Sequence, residues 1–457
     1  MSIASASNRL LPGRALGVLL VAGAALLALE SWPALQRPRA PIAAQATPAR
    51  AAPVGLAASY DEALARIDLD LANARERAAA RGDEWLMHEV LARGLYARAR
   101  LTGSFDDYAA AEAALARAFA VAPPGTGPHL TQAVFDFSMH RLAEAERQLR
   151  HVARYAVPPD VPELAETIAM RGDIAFYRGD YDSALEAYRE ADRLRPGTAD
   201  FRFAIHAFKT GDFARAEDYF NRTERGLVNP TPQTLSNIEL QRGILDLDRG
   251  RWDEALVHFR RADGIFGGHW LIEEHIAEVT ALKGDLAGAE RLYRDIVRRT
   301  GHAEFIDALA GIAEQRGDKR AAAVWGARAG AVWRQRLRQF AEAAYGHALD
   351  HCIGAANWRW ALTLAERNHR ARPYGDAKVT LAQALLHNGR RGEAKVLIEG
   401  VLASPWRTAQ LHVVAAEIYR AGGDRRAAAA QVAAARRIDP HASPPELAVL
   451  RLPGHAI

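Results

Sequence analysis

The sequence predicts an all-α protein, a right-handed α-solenoid of about ten helix–turn–helix units stacked on one another. Three observations carry that expectation. One phrase recurs along the chain, its copies beginning about 32 to 39 residues apart. Alanine is abundant, and alanine is both the best helix former and small enough to let helix axes approach closely. Apolar residues make up 49% and charged residues 25% of the chain, close to globular averages, which excludes disorder throughout. At one domain per ~150 residues the length alone suggests about three domains, but a repeat that cannot bury its apolar side alone builds one continuous core instead.

Arg9 and Arg14 precede an apolar run from Ala15 to Leu29, which ends at Glu30 and Pro33. A basic start before about 15 apolar residues is the pattern of a secretory signal and is short for a membrane span. Residues 1–33 therefore read as a signal peptide or signal anchor. The protein is expected in the periplasm or outside the cell, free after cleavage or tethered to the inner membrane; both outcomes stay open. Residues 34–58, rich in alanine and proline with few large apolar groups, read as an unpacked linker. The packed body spans 59–440 and opens on Ser59-Tyr-Asp-Glu-Ala, a helix start. Residues 441–457 form a proline-punctuated tail.

The recurring phrase is clearest as Arg171-Gly172, then Gly179-Asp180-Tyr181, Ala184, Tyr188, Ala191 and Pro196. It returns as Arg242-Gly243, Gly250, Trp252, Ala255, Phe259 and Ala262, with shorter echoes from Gly211, Gly284, Gly389 and Gly423. Small residues at these offsets permit close helix contact, the aromatic fills the space between, Gly-Asp turns the chain and caps the next helix, and proline ends it. The pattern resembles the tetratricopeptide repeat, a helix–turn–helix unit of about 34 residues. The resemblance covers roughly four-fifths of the chain as about ten units across 83–440, with a partial unit or cap over 60–80.

Charge excludes a nucleic-acid binder. Without residues 1–50 the chain has 54 basic and 54 acidic groups, whereas a nucleic-acid surface needs a basic surplus. The zero hides an asymmetry of about −8 over 51–300 and +8 over 301–457. Cys352 is the single cysteine, so neither an internal disulfide nor a thiolate cluster can form within one chain. No phosphate-binding loop, nucleophile elbow or zinc-protease helix occurs, and no cofactor is expected.

One local constellation carries chemistry. His347 and His351 lie four apart and so share a helix face, with Asp350 close by, a set able to offer three ligands to a transition metal. His269 and Glu273 repeat the spacing, with His275 near. Trp325, Trp333, Trp358 and Trp360 flank the histidine-rich stretch. The resemblance itself implies a concave groove lined by first helices that holds peptide segments of other proteins. Its expected lining in the middle units is Asp173, Phe176, Ile205, Phe208, Lys209, Ile244 and Leu247, with core packing as the competing use of the apolar members. The sequence thus points to a non-enzymatic scaffold of the bacterial cell envelope. The rival is a periplasmic protein binding a metal or small ligand, with hydrolytic activity among its options, at His347–His351.

Overall fold

The structure, a computed structural model, describes residues 56–155 and 157–442. The leader, nearly all of the linker and most of the tail lie outside the described residues. A single helix, α1 (Tyr60–Ala80), is capped by Ser59, whose Oγ accepts from Glu62 N at 3.3 Å. Ten antiparallel helix pairs follow: α2 (Trp85–Thr102) with α3 (Phe105–Val121), α4 (His129–Ser138) with α5 (Leu142–Val152), α6 (Val161–Tyr177) with α7 (Tyr181–Leu194), α8 (Asp200–Lys209) with α9 (Phe213–Gly226), and α10 (Pro232–Asp248) with α11 (Trp252–Ile265). The second five are α12 (Trp270–Leu282) with α13 (Leu286–Thr300), α14 (Ala303–Gln315) with α15 (Lys319–Gln339), α16 (Ala341–Gly354) with α17 (Trp358–Ala371), α18 (Gly375–His387) with α19 (Arg391–Ala403), and α20 (Ala409–Ala421) with α21 (Arg425–Ile438).

Within a pair the repeat residues do what their chemistry requires. Ala145, Ala184, Ala216, Ala255, Ala289, Ala361 and Ala394, one per second helix, are fully buried, so two helix backbones meet there. Tyr188 lies flat against Gly172, where a β-carbon would sit 2.6 Å from its Cε1. Eight of the ten intra-pair turns hold a glycine in the left-handed region, and the others use His140 (φ 60°) and Ala356 (φ 52°). A side chain in that conformation costs about 1–2 kcal/mol. Asp180, Asp212, Asp285, Asp318 and Asp424 each cap the following helix through a backbone N–H three residues on.

The core is not one-dimensional, because the solenoid closes on itself. From the seventh pair onward, the start of each pair meets the turn of the pair six positions earlier. His302 Nε2 donates to Thr102 O (3.0 Å), His140 Nδ1 to Glu342 O (3.2 Å), Gly375 N to the Tyr181 hydroxyl (2.9 Å) and Arg407 N to Lys209 O (2.8 Å). Next to the first of these, Trp270 Nε1 donates to Leu101 O at 2.9 Å. At one end of this seam Tyr60 N donates to Gly267 O at 3.0 Å, and at the other the rings of Trp252 and His441 stack 3.8 Å apart.

Each unit of the second turn opens on an aromatic or imidazole ring, namely Trp270, His302, Phe340, Tyr374 and Trp406, and all five are buried. Phe340 contacts the rings of Phe105, Tyr108 and Phe135, while Trp406 contacts those of Phe176 and Tyr181. Burying a large apolar side chain contributes about 1.5–3 kcal/mol, so these rings are strong fastenings between the two turns.

Two outcomes follow from the seam. Tyr181→Phe removes the acceptor of the buried Gly375 N–H and is expected to cost about 1–3 kcal/mol. Hydrogen exchange should then quicken in the ninth pair as well as the third, whereas loosening confined to the third pair and its chain neighbours would contradict the closure. The second outcome concerns pH. Burial holds the His302 imidazole down at about 4, with Glu304 opposing and Arg336 adding. Its contribution is therefore complete above the unfolded value near 6.5 and is lost as pH falls toward 4, amounting to about 2 kcal/mol by pH 5. Comparing urea unfolding of wild type and His302→Gln at pH 7 and pH 5 should show the variant lacking that share of the pH dependence.

Candidate functional site

The seven residues expected to line an open groove are all interior. Asp173, Phe176, Ile205, Phe208, Lys209, Ile244 and Leu247 are each at most 3% exposed. They do face inward from the first helices, but the second turn or the core itself occupies the space in front of them. Arg202 Nε reaches both carboxylate oxygens of Asp173 at 3.0 Å, and the Tyr188 hydroxyl donates to the same carboxylate at 3.0 Å. Phe176 meets Trp406 with the rings tilted at 53° and 5.9 Å apart, and the Lys209 ammonium lies 4.5 Å from the Phe208 ring centre and 3.7 Å from Asp248 Oδ2. Ile205, Ile244 and Leu247 belong to the continuous apolar core.

His347, Asp350 and His351 do not converge either. Among the described residues no group of three His, Cys, Asp or Glu side chains is placed to hold a metal ion. His351 Nδ1 lies 2.7 Å from Asp307 Oδ1, while Trp333 Nε1 donates to the other oxygen of that carboxylate at 2.7 Å. His347 stacks on Trp333 with rings 5.9 Å apart. Asp350 is buried, and burial, with Asp307 and Asp376 adding, pushes its carboxyl well above the usual range. Burial also pushes the Cys352 thiol up to about 12. These residues fasten α16 to α14 and α15. His269 stacks against Tyr60 while Glu273 pairs with Arg299, so that spacing brings nothing together. Of the four tryptophans, Trp333 is buried, Trp358 stacks on His387, Trp325 carries Arg294 and Arg328 over its faces, and Trp360 is exposed.

The accessible concavity lies elsewhere. A cavity of about 900 Å³ extends from α1, α2 and α4 to Thr231, Gln233 and Phe266 on the far side of the first turn. Its floor is apolar, with Ala63, Ile67, Ala74, Val90, Tyr96, Val134 and Phe135. Four arginines line it, Arg66, Arg77, Arg93 and Arg100, against the single acid Asp70. Burial lowers the Arg93 guanidinium somewhat, opposed by Glu89, which accepts from Thr131 Oγ1 at 2.5 Å. The surrounding stretch 51–300 is net acidic, so this lining inverts the charge of its own half. Sequence reasoning missed it because the repeat phrase is weakest in the first two pairs. The available signal was the spacing of Arg93 and Arg100, seven apart and therefore on one face of α2.

With this geometry in place, the family model for the tetratricopeptide repeat matches residues 165–198, the α6–α7 pair. Residues 165–198 are a tetratricopeptide repeat. The other nine pairs share its helix–turn–helix build. Comparison with curated protein sequences gives no match. Among solved structures, a tetratricopeptide repeat protein from Parabacteroides merdae is 16% identical, with 53% of this chain and 93% of that chain covered and a TM-score of 0.33. PilW, a type IV pilus biogenesis factor, is 19% identical over 44% of this chain and 91% of its own, with a TM-score of 0.36. Human IFIT1, solved as a dimer with m7Gppp-AAAA, is 14% identical over 83% of this chain and 99% of its own, with a TM-score of 0.40.

Proposed function

We propose that this protein is a non-enzymatic scaffold of the bacterial cell envelope that binds a partner protein through an extended segment bearing acidic and apolar side chains. The tetratricopeptide build supports a protein-interaction scaffold in general, and the arginine-lined cavity supports the chemistry of the partner. Apolar side chains of such a segment cover the Ile67, Val90 and Phe135 floor, while its carboxylates meet guanidinium groups that favour planar, bidentate partners. The envelope location rests on Arg9 and Arg14 ahead of the apolar run from Ala15 to Leu29. Among the described residues no helix is long and apolar enough to cross a membrane.

A photo-crosslinking residue in place of Val90, which is 41% exposed, is expected to capture a partner at a segment rich in Asp or Glu. The double reversal Arg66→Glu with Arg93→Glu should abolish that crosslink, while the same probe at the remote, exposed Val257 should capture nothing in common with it. A crosslinked segment without acidic residues, or one indifferent to the reversal, would contradict the assignment. For location, alkaline phosphatase fused after residue 60 is expected to be active, as that enzyme works only outside the cytoplasm. An inactive fusion beside an active cytoplasmic reporter at the same junction would place the body inside the cell.

A further inference from the structure

We infer that a small cavity in the middle of the seam binds inorganic hydrogen phosphate, held by Arg372 and His140. The cavity, about 80 Å³, lies where the turn of the second pair meets the α15–α16 junction and the end of α17. That volume accommodates a few waters or one tetrahedral oxyanion, and is too small for a nucleotide. Three guanidinium groups line it, those of Arg100, Arg336 and Arg372, against one carboxylate, Glu304. Glu304 is already engaged, since Arg336 Nη1 donates to both its oxygens at 2.6 and 2.8 Å. Arg372, by contrast, is almost wholly withdrawn from water at this wall.

Arg372 supplies the donors. It is 1% exposed and packed between the rings of Tyr177 and Tyr374, whose centres lie 5.6 and 5.4 Å from its guanidinium carbon. Nη2 donates to Asn368 Oδ1 at 3.1 Å, but Nε and Nη1 have no hydrogen-bond partner within the protein. Asp376, four residues on, is not bonded to it; one of its oxygens accepts from Trp406 Nε1 and the other is unpartnered. A buried guanidinium with two idle nitrogens, three N–H groups in all, is costly unless an acceptor is delivered to it.

His140 supplies the complement. It occupies a turn position that is glycine in eight of the ten pairs, and it does so with φ at 60°, so an imidazole is kept here in spite of backbone strain. Nδ1 must be the protonated nitrogen, because it donates to the Glu342 carbonyl at 3.2 Å. That leaves Nε2 as a lone-pair acceptor, and burial with nearby Arg372 keeps the ring neutral. Donors from Arg372 beside an acceptor from His140 match an anion that both accepts and donates. Hydrogen phosphate has such an O–H at neutral pH, whereas sulfate and carboxylates do not.

Titration calorimetry of the full chain with sodium phosphate and with sodium sulfate, at matched ionic strength, tests this. Phosphate is expected to bind at one site per chain, with sulfate roughly tenfold or more weaker, about the worth of one charge-assisted hydrogen bond. Arg372→Gln should weaken phosphate at least as much. His140→Gly suits the turn and should fold, yet should bring phosphate down to the sulfate level; if Arg372→Gln fails to fold, this variant decides alone. Absence of saturable phosphate binding, equal affinity for sulfate in the wild type, or unchanged phosphate binding in His140→Gly would each overturn the assignment.

Discussion

Everything in this molecule depends on the closure that sets each unit of the second turn against the unit six places earlier. Backbone groups at a buried seam need partners as much as those inside a helix, and here they find them across about 200 residues of chain. Thr102 O, Lys209 O and Gly375 N are satisfied only because the two turns sit in this register. A slip by one unit would leave those groups unpaired and misplace five buried rings at once. An open solenoid relies on nearest-neighbour contacts alone; this one adds a second set that ties its early units to its late ones.

The same closure decides what the interior can be used for. First helices of a stacked repeat face inward whether or not anything fills the space before them. In the third and fourth pairs the inward space holds Trp406 and the chain around Arg407, so Phe176 and Lys209 end as core. Around α1, α2 and α4 the inner wall instead borders the 900 Å³ cavity. Burial there is incomplete, and the arginines on the inner wall are held at the edge of solvent and not sealed inside.

How much of this was legible in the sequence divides along the range of the interaction. The turn glycines, the capping aspartates, and the pairing of Ala184 and Tyr188 with Gly172 act within one unit, so a phrase some 30 residues long carries them. Even the unpaired α1 and the ten pairs after it are readable from that spacing. The closure leaves only a faint mark, the aromatic or imidazole residue that opens each second-turn unit, Trp270, His302, Phe340, Tyr374 and Trp406. Each looks like ordinary core on its own, and Trp85 and His129 open first-turn helices in the same way, so the residue type alone does not single out a second layer. The role of the histidine pair was hidden for a related reason. His347 and His351 do share a helix face, but what stands opposite that face, Trp333 and Asp307, comes from the preceding pair and turns both imidazoles to packing and hydrogen bonding.

The seam is also where the structure tolerates polar groups that a plain core would exclude. Arg372, His140, Asp350 and Asp376 sit together between the turns, although apolar residues of similar volume would be cheaper to bury. Direct pairing within the chain does not account for them, since Arg372 and both aspartates keep idle polar atoms. His140 adds backbone strain to that cost. Arg372 and His140 concentrate that expense in the middle of the seam, while elsewhere along it Lys209 is buried beside Trp406 and Gln339 Nε2 donates to Asp106 Oδ1 at 3.0 Å. Arg100 lines both this small cavity and the large arginine-rich one. Its guanidinium is the one charged group common to the two linings.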